Sequence, residues 1–147
     1  MTNKLEVKIK RIDKTLPLPK YQTSGSVAFD LYSREDMTIP AKSLGLIPSN
    51  LIIQTPPGYM LIVVPRSSTP KRKGLSIPHG IGIIDRDYSG ENDEVLLQVY
   101  NFTDNEVKID KQERIAQATF VRVDTAEWKE VDKMSEQDRG GYGSTGY

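Results

Sequence analysis

Met37-Thr38-Ile39, Leu44-Gly45-Leu46-Ile47, Leu51-Ile52-Ile53 and, after Pro56-Pro57-Gly58, Tyr59-Met60-Leu61-Ile62-Val63-Val64 follow one another with only short turn-forming segments between them. Strands at such close spacing predict a sandwich or barrel. Leu5, Val7 and Ile9 alternate with Glu6, Lys8 and Lys10, the period of a strand with one buried face. Leu16-Pro17-Leu18-Pro19 forbids helix, and Thr23-Ser24-Gly25-Ser26 reads as a loop before the apolar run Val27-Ala28-Phe29. Residues 95–102 and 115–123 continue the strand pattern, the second with Ile115, Gln117, Thr119 and Val121 on one face. No window holds a helical period over three turns, so the chain is expected to be all-β. Residues 1–132 form one β domain on this reading. Residues 133–147 form a polar, glycine-rich tail, either a frayed end or a flap that orders on a ligand.

Composition narrows the chemistry. The 147 residues suit a single domain. Lysine plus arginine equals aspartate plus glutamate, 20 of each, so the overall charge asks for neither nucleic acid nor an anionic membrane. Any bound anion must be met by local groups. With no cysteine and a single histidine, His79, disulfides, thiolate nucleophiles and the usual cysteine or multi-histidine zinc sites are excluded. No apolar run approaches the roughly 18–20 residues of a membrane span, and the reading is of a soluble, intracellular and cytoplasmic protein.

The stretch richest in chemistry is Gly82-Ile83-Ile84-Asp85-Arg86-Asp87-Tyr88-Ser89-Gly90. Read as extended chain it places Asp85 and Asp87 on one side and Arg86 and Tyr88 on the other, with a hairpin tip as the natural form. It is either a functional loop or an ordinary solvated hairpin. Pro65-Arg66-Ser67-Ser68-Thr69 ends an apolar strand with a guanidinium, hydroxyls and freed N–H groups, a set able to bind phosphate oxygens. The following Lys71-Arg72-Lys73 reads as a solvated loop, or as an electrostatic assist to an anion. Gln117, a neutral amide on an otherwise apolar face, is a structural bridge or a ligand contact. In the tail, Arg139, Tyr142, Ser144 and Thr145 supply a cation, a stacking ring and hydroxyls, a set that suits a nucleotide.

Taken in order, these segments resemble the five motifs of the homotrimeric dUTPase family: Gly25-Ser26-Val27-Ala28-Phe29-Asp30-Leu31-Tyr32-Ser33, Pro65-Arg66-Ser67-Ser68, the Gly82 to Gly90 stretch, Glu113-Arg114-Ile115-Ala116-Gln117, and the tail from Arg139 to Gly146. The resemblance implies a distorted jelly-roll fold, a homotrimer with active sites between subunits, a magnesium ion, and hydrolysis of dUTP to dUMP and pyrophosphate. It would make Asp85 the base that deprotonates the attacking water, and Tyr88 the ring against the deoxyribose. Backbone groups of Gly82, Ile83 and Ile84 would read uracil. Arg66, Ser67, Ser68 and Gln117 would contact phosphates, and Asp30 would reach through water to a magnesium held mainly by the triphosphate. Tyr142 would stack on the base, with Arg139, Ser144 and Thr145 on the outer phosphates.

Three features depart from the family pattern. The fifth motif is two residues shorter and has tyrosine in place of phenylalanine, Glu91-Asn92-Asp93-Glu94 lengthens the return from the third motif, and His79 stands where many members carry a nucleotide-contacting asparagine. Two rivals share the fold. A dCTP deaminase needs a glutamate proton shuttle where this chain has Gln98, which cannot shuttle protons. A regulatory nucleotide-binding protein has no need of Asp85.

Overall fold

The computed structural model describes residues 4–141 and Gly143. In chain order its elements are β1 (Lys8–Arg11), β2 (Phe29–Tyr32), β3 (Met37–Ile39), β4 (Leu44–Pro48), β5 (Leu51–Gln54), β6 (Tyr59–Pro65), α1 (Thr69–Lys73), β7 (Leu75–Ser76), β8 (Gly82–Ile84), β9 (Leu96–Asn101), β10 (Val107–Ile109) and β11 (Arg114–Arg122). The all-β expectation holds, and the one helix among the described residues is five residues long. Among the described residues four antiparallel sheets form, in the orders β1-β5, β10-β3, β2-β11-β6-β8 and β4-β9-β7.

Period-two burial ties sequence to core. In β9, Leu97 and Val99 are buried while Leu96, Gln98 and Tyr100 are not, and in β6 Leu61 and Val63 face inward. These residues join Leu31, Ile53, Leu75 and Ile115 in one apolar cluster. Fully burying a side chain of this kind contributes about 1.5–3 kcal/mol. All three apolar residues of β5 are buried, so this strand is covered on both faces.

Three early expectations change. In β1 and the chain before it, Leu5 and Ile9 stay exposed and only Val7 packs on the core. The β1 strand pairs solely with β5 among the described residues, which leaves its outer side uncovered. Val27, read as the start of an apolar run after a loop, is 81% exposed because β2 begins only at Phe29. Lys71-Arg72-Lys73 is the last turn of α1 rather than a loop, where cations favourably meet the carbonyl end of a helix. Gly74 closes that helix at φ 65°, and a Cβ there would lie 2.1 Å from Thr103 Cγ2. No helix among the described residues is long and apolar enough to cross a membrane. From Arg122 to Gly141 every described residue is exposed, Trp128 at 90%.

A buried amide welds the end of β9 to the loop after β3. Asn101 is fully buried, its Nδ2 facing the carbonyls of Ile39, Pro40 and Asn105 at 3.1, 3.0 and 2.8 Å. Its Oδ1 accepts from the Thr103 N–H and hydroxyl. Asn101→Ala leaves those groups without partners and should cost about 2–4 kcal/mol, read as a lower urea midpoint. Near β1, Asp13 accepts from the Thr15 hydroxyl and N–H and pairs with Lys111, which lower its pKa from 3.8 to about 2. A carboxylate depressed in the folded state stabilises above its unfolded value, and the contribution is lost as pH falls through the folded one. Asp13→Asn should therefore lower stability near neutral pH and flatten the acid limb between pH 3.8 and about 2 in pH-dependent unfolding.

Candidate active site

Strand β6 organises the site. It is the partner of β11 on one side and of β8 on the other, both antiparallel. At its C-terminal end the chain leaves Pro65 for Arg66, Ser67 and Ser68, then enters α1. Thr69 is buried, and its hydroxyl donates to the Ile115 carbonyl at 2.7 Å, fixing this loop to the start of β11. Ser68 occupies the cap position of α1 without a side-chain capping bond, so its hydroxyl is not spent on the helix.

Beside this loop, β2 brings Asp30 opposite Gln117 of β11, and Gln117 lies opposite Val64 of β6. The Asp30 side chain is only 8% exposed, and its two oxygens meet Arg66 Nε and Arg114 Nη1, each at 3.1 Å. One buried carboxylate thus holds two guanidinium groups at the edge of solvent. A carboxylate left buried without its partners would be strongly destabilising, so the triad is fixed as a unit. Arg114, absent from the residues selected above, belongs to the same short segment as Gln117, and the buried Asp30 is what gives it a role. The net charge of the triad is positive, and a cavity of about 360 Å³ opens here, lined by Arg66, Ser68, Arg72 and Arg114 among others.

Gln117 does not lie on the face expected for it. A bulge between Arg114 and Ala116 shifts the register of β11 against β2. Ile115 is buried at that bulge, Ala116 and Ala118 face the core, and Gln117 and Thr119 are half-exposed. Extra residues in one strand break the simple alternation on which the sequence reading relied. The Gln117 Nε2 reaches the Pro65 carbonyl at 3.4 Å, a weak bond that leaves the amide capacity for a ligand.

At the other edge, β8 sits last in its sheet and pairs only with β6 among the described residues. The far-side N–H and C=O groups of this edge strand therefore remain available. His79 stands over its start, Nδ1 at 2.9 Å from the Ile81 carbonyl, and a Cβ on Gly82 would come within 3.6 Å of the His79 ring and 3.2 Å of Val63 Cβ.

The Gly82 to Gly90 stretch is not a hairpin. Strand β9, which follows it, belongs to the sheet of β4 and β7, so residues 85–95 cross between sheets. Two turns shape the crossing: Tyr88 N–H donates to the Asp85 carbonyl at 3.3 Å, and Asp93 N–H to the Gly90 carbonyl at 3.1 Å. The alternation that would place Asp85 with Asp87 ends at Ile84, where the extended chain ends. Asp85, Arg86, Asp87 and Ser89 line an open cavity of about 760 Å³ together with Gln54. The Tyr88 hydroxyl donates to the Glu94 carbonyl at 3.0 Å.

The selected residues thus fall into two groups. Asp30, Arg66, Ser67, Ser68 and Gln117 gather at the Pro65 end of β6, and Asp85, with Tyr88 after it, lies toward its Tyr59 end. Leu61 pairs with Ile84, so Asp85 follows at the level of Met60. From there to Arg66 the strand runs roughly 20 Å at about 3.3 Å per residue. Arg139 lies on the exposed tail, while Tyr142, Ser144 and Thr145 fall outside the described residues. No cluster of three or more metal-ligating side chains occurs among the described residues.

The dUTPase family model matches residues 14–146. The deoxyuridine 5'-triphosphate nucleotidohydrolase of Dictyoglomus turgidum is 40% identical over 97% of this chain and 99% of its own. A dUTPase crystal structure from Streptococcus mutans superposes with a TM-score of 0.76 at 30% identity, covering 82% of this chain and 98% of that one. The Staphylococcus bacteriophage 80alpha dUTPase with dUPNHPP superposes at 0.85 over 97% of this chain and 99% of its own, at 22% identity, a likeness of fold. Motif order, strand topology and near full-length similarity agree, and the chain belongs to the dUTPase family.

Proposed function

We propose that this dUTPase hydrolyses dUTP to dUMP and pyrophosphate with Asp85 as general base, in active sites shared between subunits of a homotrimer. The observation that carries the reading is the placement of Asp85 directly after the free edge of β8, facing an open cavity. A strand edge offers alternating donors and acceptors, and the Gly82, Ile83 and Ile84 backbone would meet the polar edge of uracil as it would meet another strand. Asp85 then takes a proton from a water as the water oxygen bonds to the α-phosphorus. The bond from that phosphorus to the bridging oxygen breaks, and pyrophosphate leaves. A carboxylate within hydrogen-bond reach of the water suffices for this step.

The phosphates need hydrogen-bond donors and positive charge that Asp85 cannot supply. Arg66 would supply the charge, with Ser67, Ser68 and Gln117 as neutral donors, and His79 would border the nucleoside. One chain holds Asp85 and Arg66 roughly 20 Å apart along β6, too far to act on one α-phosphate. A second copy bringing its Arg66 loop to this Asp85 resolves the separation, which supports a shared site. The tail of a copy, through Arg139, Tyr142, Ser144 and Thr145, would close over base and outer phosphates and exclude water.

Magnesium fits as a metal carried by the triphosphate, since Mg²⁺ keeps several waters and needs no all-protein cage. Asp30 would meet it through water: its two arginine bonds use only part of a carboxylate's roughly four acceptor positions. The bound ion would neutralise phosphate charge. The Gln98 position, half-buried in β9, offers no proton shuttle for deamination.

Asp85→Asn should lose at least about a hundredfold in turnover while nucleotide binding is kept, as expected for loss of a general base; near-normal pyrophosphate release would refute the assignment. Mixed trimers of Asp85→Asn and Arg66→Gln chains should regain activity in about a quarter of their sites if each site draws those residues from different subunits. No recovery on mixing would argue for sites within one chain. Truncation before Arg139 should cripple turnover and leave the melting temperature unchanged; full activity would remove the tail from the mechanism.

A further inference from the structure

We infer that Arg34 and Glu94 form a positioning pair that sets the discrimination of deoxyribose from ribose by holding Tyr88 in place. The inference rests on the reading of Tyr88 as the ring against the sugar. Tyr88 is 38% exposed on the loop that crosses between sheets, outside any strand that would fix it by register. Its hydroxyl is tethered to the Glu94 carbonyl at 3.0 Å. A tether is only as rigid as its anchor, and Glu94 is held from every side. Its carboxylate, 12% exposed, receives Arg34 Nε at 3.0 Å and Nη2 at 3.1 Å in a two-pronged fork. The Asn50 N–H adds a third bond at 2.7 Å.

The anchors of Glu94 are themselves fixed. Arg34 donates its own N–H to the Pro48 carbonyl at 2.7 Å, and Val95, the next residue, bonds the Leu51 carbonyl at 2.8 Å. Glu94 lies in the segment that departs from the family pattern, Glu91-Asn92-Asp93-Glu94. That extension is folded back on itself, with Gly90 N–H donating to Asp93 Oδ2 at 2.7 Å, and Glu91 is ion-paired to Lys10 of β1. The longer return is therefore a braced support rather than slack. A wall rejects one extra hydroxyl only if it does not yield, and a tethered ring yields less than a free one.

The test compares kcat/KM for dUTP and UTP in the wild type, Glu94→Gln, Tyr88→Phe and the double variant. Glu94→Gln keeps size and weakens the fork, and Tyr88→Phe removes the tether alone. Each single change should lower the dUTP-to-UTP ratio about three- to tenfold, the range of one hydrogen bond, and the double should fall no further. If Glu94→Gln does not fold, Arg34→Lys, which keeps the charge and loses the fork, replaces it. An unchanged ratio in a folded variant, or independent multiplying losses in the double, overturns the inference. A wild type that releases no pyrophosphate from dUTP would instead overturn the functional reading beneath it.

Discussion

The antiparallel pairing of β6 with strands on both of its edges is the constraint on which the rest depends. Because β11 and β8 are each hydrogen-bonded to it, β6 transmits one register to both. Its inward residues Leu61 and Val63 commit to the core. The chain leaving its end must carry Arg66 outward, and the chain leaving β8 must carry Asp85 out at the opposite end. Moving either pairing by one residue would turn core faces to solvent, so the separation of the two groups is stabilised by the whole apolar cluster.

Electrostatics refines what the register sets out. Asp30 would be costly to bury alone, and it is tolerated because Arg66 and Arg114 meet both of its oxygens. The same arrangement keeps two guanidinium groups oriented without ligand, which favours binding of a polyanion by reducing the ordering cost. At the Asp85 end a comparable role falls to Glu94, whose carboxylate takes three donors and whose hydrogen bonds raise the Arg34 pKa above its ordinary value. One acid thus gathers several donors near each group of residues, and neither is the proposed base.

Much of this was legible in the residues. Strands at 37–39, 44–48, 51–54 and 59–65 could be read because short apolar runs are punctuated by proline, glycine and serine. The motif residues could be read only as a set, because each segment alone also suits an ordinary turn and it is their order along the chain that resembles the dUTPase family. The brief strand β7 left no periodic signal in two residues, and the bulge in β11 is invisible to a rule that assumes strict alternation. The hairpin reading of residues 82–90 failed for a related reason: glycines and acids mark a turn, and they do not say which strand lies across from it.

By itself the sequence determined the class of fold, most of the strands and the kinds of groups available for phosphate, water and base, because these follow from side-chain chemistry and local period. Only the tertiary structure decided which of them meet. It brought Asp30, Arg66, Arg114 and Gln117 together from two strands and a loop, and it set Asp85 at the far end of β6. It also joined Arg34 to Glu94, 60 residues apart in sequence. Such contacts are fixed by non-local register and core packing, which no window of sequence contains.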